Sequence, residues 1–137
     1  MYYTIGEVAE RLNLTPYTLR FYDKEGLLPF VERGAGGVRR FKEEDFGWLG
    51  IIECLKATGM PIKDIRTFID WCAAGDSTLE ARRAMFYERR RAVEAQMKEL
   101  QKALETIEHK CRYYDAAVAA GTEAVVKEKA ASVPASE

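Results

Sequence analysis

Residues 4–29 read TIGEVAERLNLTPYTLRFYDKEGLLP, and the rest of the chain is organised around this stretch. Thr4, followed three residues later by Glu7, forms a capping box that begins a helix. Thr15, followed by Pro16, is a second start signal, because a hydroxyl accepts from orphan amides and proline is preset for the first helical turn. The stretch therefore predicts two short helices joined by a tight corner.

Each predicted helix has an apolar side. Its members are Ile5, Val8, Ala9 and Leu12 in the first helix and Leu19, Phe21 and Tyr22 in the second. Two helices this short bury little surface alone, but joined at a corner they form a helix-turn-helix whose second helix is free to lie in a DNA major groove. The spacing fits an ordinary helical hairpin with a polar outer face equally well.

The outer side of the second helix is expected to carry hydroxyls and cations, the groups that phosphates and base edges require. These positions are Thr15, Tyr17, Thr18, Arg20 and Lys24. Residues 30–41, FVERGAGGVRRF, follow directly, and their glycines separate two short β-prone pieces. We interpret them as a small hairpin that carries Arg33, Arg39 and Arg40. A flexible basic loop is the alternative.

These residues carry a family resemblance. The stretch at 4–29, followed by VRRF at 38–41 and LKATGMPIKDI at 55–65, resembles the MerR family of transcription regulators. The similarity is close over the first half of the chain, and the layout covers nearly all of it. It implies a mainly α fold, in which a winged helix-turn-helix DNA-binding domain is followed by a long antiparallel coiled-coil dimerisation helix. Arg39 or Arg40 would take the place of the family's wing arginine.

Two helices are predicted between the hairpin and the long helix. Glu43, Glu44 and Asp45 open the first, with acids suited to its positive end. Its main buried stripe is expected to be Trp48, Ile51, Ile52 and Leu55, widened by Phe46, Leu49 and Cys54. The second starts near Pro61 and has Ile62, Ile65, Phe68, Ile69 and Cys72 on its apolar side.

The longest predicted element begins at Ser77, which with Glu80 forms another capping box, and no Gly or Pro follows until Gly121. About 40 residues give a helix on the order of 60 Å long, too long to bury its apolar seam against a small domain. A coiled coil with a second copy is favoured over a simple core helix. The dimerisation residues are Phe86, Val93, Met97, Leu100, Leu104, Ile107, Cys111 and Tyr114. Arg83 and Arg90 occupy the first seam positions, where we expect their stems to pack on the partner's globular part.

Composition bounds the partners. The formal net charge of −1 is low for a nucleic-acid binder, so DNA binding is expected to need a dimer and to weaken with salt. No apolar run is long enough for a membrane span, and residues 1–11 lack a signal-peptide pattern, which predicts a cytoplasmic protein without membrane contact. The single His109 and three scattered cysteines predict no metal, no cofactor and no catalytic constellation, and hence no enzyme.

We therefore predict a DNA-binding domain at residues 1–75, a coiled-coil helix at 76–120 and a partly disordered tail at 121–137. The partners are a second copy and duplex DNA with a near-palindromic promoter operator. Thr15, Tyr17 and Thr18 would read bases. Arg20, Tyr22 and the arginines of the hairpin would position the protein. The alternative is a coiled-coil protein-interaction adaptor without a small-molecule or thiol sensor.

The resemblance implies two further steps. The dimer sits on an overlong promoter spacer and distorts it, so that RNA polymerase is engaged indirectly. Cys54 and the segment WCAAGDSTLEARRAMF at 71–86 resemble the family branch that responds to aldehydes, other electrophiles or nitrosative stress. Cys54 is then the candidate sensor, in a tightly packed site that an adduct would enlarge. The alternative is that Cys54 is a buried, inert packing residue.

Overall fold

A computed structural model describes residues 1–130 of the 137-residue chain. The described chain is mainly helical, with one two-stranded hairpin between its second and third helices. The elements are α1 (Ile5–Leu12), α2 (Pro16–Lys24), β1 (Glu32–Arg33), β2 (Arg39–Arg40), α3 (Asp45–Ala57), α4 (Ile62–Ala74), α5 (Leu79–Ala120) and α6 (Ala124–Ala130). Of the tail at 121–137 that was predicted to be partly disordered, residues 124–130 form α6, and residues 131–137 lie outside the described residues.

The chain separates into two compact units, Met1–Arg89 and a second that begins at Arg90. The division falls inside α5, whereas the predicted domain boundaries followed the ends of helices. The reason is visible in the first turns of α5, which pack on the first unit. The ring of Phe86, for example, lies 5.2 Å from the ring of Phe68 on α4. The domain boundaries stay a prediction.

Local capping signals begin both short helices, as predicted. The hydroxyl of Thr4 accepts from the backbone N–H of Glu7 at 3.1 Å, and the Glu7 carboxylate accepts from the backbone N–H of Thr4 at 2.8 Å. Thr15 accepts from the backbone N–H of Thr18 at 3.1 Å, with Pro16 in the first turn. Between the helices, Asn13 takes the left-handed conformation at φ 57° and ends α1. The predicted helix-turn-helix is confirmed.

The core of the first unit is assembled from α1 to α4 and the residues around the hairpin. Its fully buried apolar side chains include Val8, Leu19, Tyr22, Leu27, Phe41, Leu49, Ile52 and Ile65. The predicted buried stripe of α3 is partly wrong, because Ile51 is exposed and Leu49, Ile52 and Leu55 face inward. Asp45 shares this inner side, where it accepts from the backbone N–H of Lys42 at 2.8 Å.

The predicted hairpin is also present. Strands β1 and β2 are antiparallel and pair Glu32 with Arg40 and Arg33 with Arg39. Directly after β2, Phe41 pairs with Tyr3 through two backbone hydrogen bonds of 2.8 and 3.0 Å, which ties the N-terminus to the hairpin. The hairpin is thereby fixed to the rest of the first unit at its base.

The start of the long helix differs from the prediction. Ser77 makes no cap, and a 3₁₀ turn at Asp76–Thr78 leads into α5. The Thr78 hydroxyl lies 2.6 Å from the carbonyl oxygen of Trp71 and 2.8 Å from that of Gly75, so it donates to the end of α4 instead of opening α5. Thr78 and Ser77 offer the same hydroxyl chemistry, and the packing of α4 selects the former.

The second unit has little core of its own. Ala117 and Val126 are buried where α6 follows α5, and the Tyr113 hydroxyl donates to Glu123 at 2.7 Å. This hydrogen bond, reinforced by partial burial, raises the pKa of Tyr113 to about 12. The predicted seam residues are mostly exposed, as Leu100 shows at 69%.

Candidate nucleic-acid interface

The outward side of α2 is a stripe of four residues at helical spacing: Tyr17, Arg20, Phe21 and Lys24. Tyr17 is 76% exposed, and Phe21, which we expected to be buried, is 40% exposed. Within the described residues the side chains of Arg20 and Lys24 have no hydrogen-bond or ion-pair partner. The stripe therefore offers two unpaired cations and two exposed rings.

The two threonines at the start of α2 are already engaged. The Thr15 hydroxyl caps the helix, and the hydroxyls of Thr15 and Thr18 lie 3.0 Å apart. Thr15 stays exposed, whereas Thr18 is half-buried. These two hydrogen bonds hold both hydroxyls in place, so a threonine that reads a base here would do so from a fixed position.

Tyr22 lies inside the domain and is absent from the outward stripe. Its side chain is fully buried, its hydroxyl donates to Glu53, and Lys56 donates to the hydroxyl at 3.0 Å. Burial and the Glu53 hydrogen bond raise the pKa of Tyr22 well above its usual value. The structure thus joins α2 to α3 through a residue that we predicted to position the protein on DNA. The reason is its spacing, since Tyr22 follows the buried Leu19 by three residues.

The hairpin of β1 and β2 is the wing of this domain, and its three arginines have three different environments. Arg33 donates to Asp23 at 2.6 Å and to the carbonyl oxygen of Gly37 at 2.8 Å. Arg39 donates from Nε to the same Asp23 oxygen at 2.7 Å. Arg40 stacks its guanidinium over the ring of Tyr2, with 3.8 Å from Cζ to the ring centroid. All three lie on one hairpin beside α2, as predicted.

The stem of Arg40 passes close to Gly34. A Cβ atom at that glycine would lie 2.5 Å from Cδ of Arg40, so a larger residue there would require the Arg40 side chain to move. On the opposite side, the Tyr2 hydroxyl donates to Glu32 at 2.9 Å and Lys42 pairs with Glu32 at 3.3 Å. The hydrogen bonds from Tyr2 and Lys42 lower the pKa of Glu32. The base of the wing is therefore held by polar contacts.

Three residues of this surface were absent from our predicted set: Tyr2, Phe21 and Asp23. Tyr2 precedes the first recognised motif, and its partner Arg40 is distant in sequence. Phe21 is a large apolar residue, a type that is usually buried. Asp23 is an acid at the negative end of a helix, where acids are unfavourable, and that placement was the available signal.

The candidate sensor also has a different environment from the predicted one. Cys54 is exposed on α3, Cys111 is exposed on α5 and Cys72 is half-buried on α4, and all three are free thiols. The expectation that Cys54 sits in a tightly packed site is wrong, and so is the alternative that it is a buried packing residue. Its neighbours one turn away, Gly50 and Ile51, are exposed too.

Neither a metal-binding cluster nor a membrane-spanning helix is found in the described part of the chain. No group of three or more His, Cys, Asp or Glu side chains there could hold a metal ion. No helix among residues 1–130 is both long and apolar enough to cross a membrane.

Comparison with known proteins gives consistent results. The family model for the MerR HTH family regulatory protein matches residues 3–70, and the model for MerR, DNA binding, matches residues 47–110. Among curated relatives, an uncharacterized HTH-type transcriptional regulator of Haemophilus influenzae is 44% identical over 122 residues, which cover 89% of this chain and 90% of the relative. The regulator AdhR of Bacillus subtilis is 37% identical over 91 residues, covering 66% of this chain and 65% of AdhR.

A solved structure extends the similarity to three dimensions. The crystal structure of HiNmlR, a MerR family regulator lacking the sensor domain and bound to promoter DNA, superposes with a TM-score of 0.86 at 43% identity. The match covers 91% of this chain and 99% of HiNmlR. It therefore includes both the helix-turn-helix and the long helix.

Proposed function

The chain belongs to the MerR family of DNA-binding transcription regulators, and from this premise we propose that it binds a near-palindromic promoter operator as a homodimer. The observation that supports this most directly is the outward stripe of α2, whose cations Arg20 and Lys24 have no partner among the described residues, beside an arginine-bearing wing. Cations held on a capped helix are suited to phosphates and to the acceptors of base edges. HiNmlR, which covers the same elements, was crystallised on promoter DNA.

The dimer follows from the exposed seam of α5. Met97, Leu100 and Ile107 are more than half exposed in the single chain, and a helix of 42 residues carries them. Burial of such side chains is worth about 1.5–3 kcal/mol each, so a second copy of the same seam is the natural cover. Two copies would present two α2 helices to DNA, with half-sites separated by roughly one helical turn, about 34 Å, or a multiple of it.

The test of DNA binding is fluorescence anisotropy on the duplex upstream of the protein's own gene, at two salt concentrations. Wild-type protein is expected to bind selectively and more weakly at the higher concentration. Arg20→Ala is expected to weaken binding by about 1–3 kcal/mol. Arg91→Ala, which removes the same charge from an exposed position of α5, is the control and should bind like wild type. Equal binding by all three proteins would favour the adaptor alternative.

We further propose that the bound dimer distorts an overlong promoter spacer and so acts on RNA polymerase indirectly, in the cytoplasm. Bending a short duplex costs on the order of 1–6 kcal/mol, so the two heads must be joined by something stiff. The length of α5, which is helical over 42 residues, supports this proposal. Energy transfer between dyes at the two ends of the operator would report the distortion. An unchanged end-to-end distance on saturation would exclude it.

For the signal, we propose that an electrophile reacts with Cys54. The thiol is exposed on α3, and the preceding residue, Glu53, holds Tyr22 of α2. An adduct on this side of α3 is therefore one residue away from the contact that seats the DNA-facing helix. Cys54→Ser is expected to keep DNA binding and to lose induction by formaldehyde or a similar electrophile. Cys111→Ser removes the other exposed thiol and is the control. Normal induction in Cys54→Ser would remove this residue from the mechanism.

A further inference from the structure

Asp23 occupies an unfavourable position for its own helix. It lies in the last turn of α2, where the partial negative charge of the helix end repels a carboxylate. Its side chain is nevertheless largely buried, at 18% exposure, and one oxygen accepts from two arginines. The compensation for its placement therefore comes from the hairpin and not from the helix.

The carboxylate of Asp23 in turn stabilises the two arginines that donate to it. Arg33 and Arg39 are directly paired across β1 and β2. Like charges that face each other across a two-stranded ladder are destabilising. Asp23 places a negative charge between them, within 2.7 Å of both guanidinium groups. The carboxylate thus fixes the hairpin on the C-terminal turn of α2.

The arginines differ in what remains free for a ligand. Arg33 donates from its two terminal nitrogens, one to Asp23 and the other to the carbonyl oxygen of Gly37. Arg39 uses only Nε, and among the described residues its two terminal nitrogens have no acceptor. A guanidinium held by one edge presents its other donors in a fixed fork, which matches the oxygens of a phosphate.

We infer that Asp23 is a positioning residue for DNA recognition, which locks the wing to α2 so that Arg39 meets the operator backbone in one geometry. The inference rests on the proposed DNA-binding function. Asp23 itself carries a negative charge beside the DNA and so opposes non-specific attraction while it supports specific contact. These opposite effects give it a signature that a purely structural contact lacks.

The test is Asp23→Asn, which keeps the shape and removes the charge. Its control is Glu25→Gln, the same charge change two residues away on a side chain that makes no hydrogen bond or ion pair with the described residues. Affinity is measured on a duplex selected from a random pool by wild-type protein and on a scrambled duplex of the same composition, over a salt series.

Both variants are expected to bind the scrambled duplex somewhat more tightly than wild type, because each loses a negative charge. Asp23→Asn alone is expected to bind the selected duplex more weakly, which lowers the ratio of specific to non-specific affinity by about tenfold. Its salt slope on the selected duplex should fall by roughly 1 per copy, as one phosphate contact is lost. If Asp23→Asn and Glu25→Gln keep the same ratio, the inference is overturned.

Arg39→Lys provides a second test, and the single variant can be measured whether or not Asp23→Asn folds; unchanged affinity of Arg39→Lys for the selected duplex would overturn the inference. This substitution keeps the charge, but an ammonium that pairs with Asp23 has no fork left for a phosphate. The variant is expected to lose about tenfold on the selected duplex. Combined with Asp23→Asn it should lose little more, because both changes break one unit. Additive losses would overturn the inference. If wild type itself shows no selective binding, the proposed function fails, and this inference fails with it.

Discussion

Apolar side chains are mostly buried in the first unit of this chain and mostly exposed in the second. In the first unit, Leu19, Leu49 and Ile52 are fully buried by neighbouring helices. In the second unit, Leu100 and Val118 are largely exposed on a helix of equal regularity. The side chains are the same in kind, so composition does not distinguish the two units. The first unit is complete in one copy, whereas the second has an apolar face that one copy leaves in water.

A charge placed in the exposed seam of α5 is expected to have the largest effect on the second unit. Leu100→Asp puts a carboxylate into the predicted seam of both copies, at a cost of about 3–5 kcal/mol for an uncompensated buried charge. The dimer dissociation constant should rise by roughly a hundredfold to several thousandfold, as measured by sedimentation equilibrium. The first unit should stay folded by thermal melting.

Gln101→Asp is the matched control for that variant. It introduces the same residue one position along α5, off the predicted seam and on an exposed side chain. It should dimerise like wild type. If Leu100→Asp also dimerised like wild type, the seam would not be the interface, and the two units would differ for a reason other than partnership.

The second prediction concerns the complete unit. Leu49→Ala empties a fully buried position on α3 and is expected to lower the free energy of unfolding by about 2–5 kcal/mol. Urea denaturation at fixed protein concentration measures this. Ile51→Ala, on the exposed side of the same helix, should cost less than about 1 kcal/mol. Equal losses would mean that a second copy covers this side of α3.

Leu49 and Ile51 also show which parts of the fold can be predicted from the sequence. Capping boxes, proline at a first turn and the glycine-punctuated hairpin were predictable because their signals are local. The buried side of α3 was not, because apolar residues surround that helix. The true inner side includes Asp45, which is buried only because Lys42 supplies its backbone N–H at 2.8 Å and its ammonium at 3.6 Å.

The candidate interface likewise has features that the sequence predicts and features that it does not. The residue types of α2 and the wing predicted a DNA-facing surface, and the structure brings them together. The places of Tyr22 and Asp23 depended on partners 31 and 10 residues away, Glu53 and Arg33. Helical spacing puts Tyr22 inward, although we also predicted that it would help to position the protein on DNA. Pairings of this kind are set by the packing of the hairpin and α3 on α2, which no local pattern specifies.

A third prediction separates two adjacent arginines on α5. Arg82 donates to the Thr78 hydroxyl at 3.0 Å and to the Gly75 carbonyl at 2.8 Å, whereas Arg83 is exposed. Arg82→Met is expected to cost about 1–2 kcal/mol of unfolding free energy, because it removes the hydrogen bonds that Arg82 donates to Thr78 and to the Gly75 carbonyl. Arg83→Met should cost less than about 0.5 kcal/mol by the same measurement. A larger loss for Arg83→Met would support its predicted seam position against a partner.

The smallest expected effect is a change in the acid dependence of the first unit. Hydrogen bonds from Arg11 at 2.8 Å and from Tyr3 at 2.8 Å lower the pKa of Glu43 below its ordinary 4.5. A lowered folded pKa stabilises the protein above the unfolded value, and this stability is lost as pH falls through the folded pKa.

Glu43→Gln should therefore lower stability near neutral pH and flatten the loss of stability as the pH falls below about 4.5. Urea midpoints over that range measure both effects. Glu44→Gln removes the neighbouring exposed carboxylate, which has no hydrogen-bond partner among the described residues, and should follow the wild-type curve. The side chain of Glu43 is mostly exposed, so solvent screens the pair and the effect stays small. If the two variants shared one acid curve, the Arg11–Glu43 pair would contribute nothing to the first unit, whose completeness would then rest on its apolar core alone.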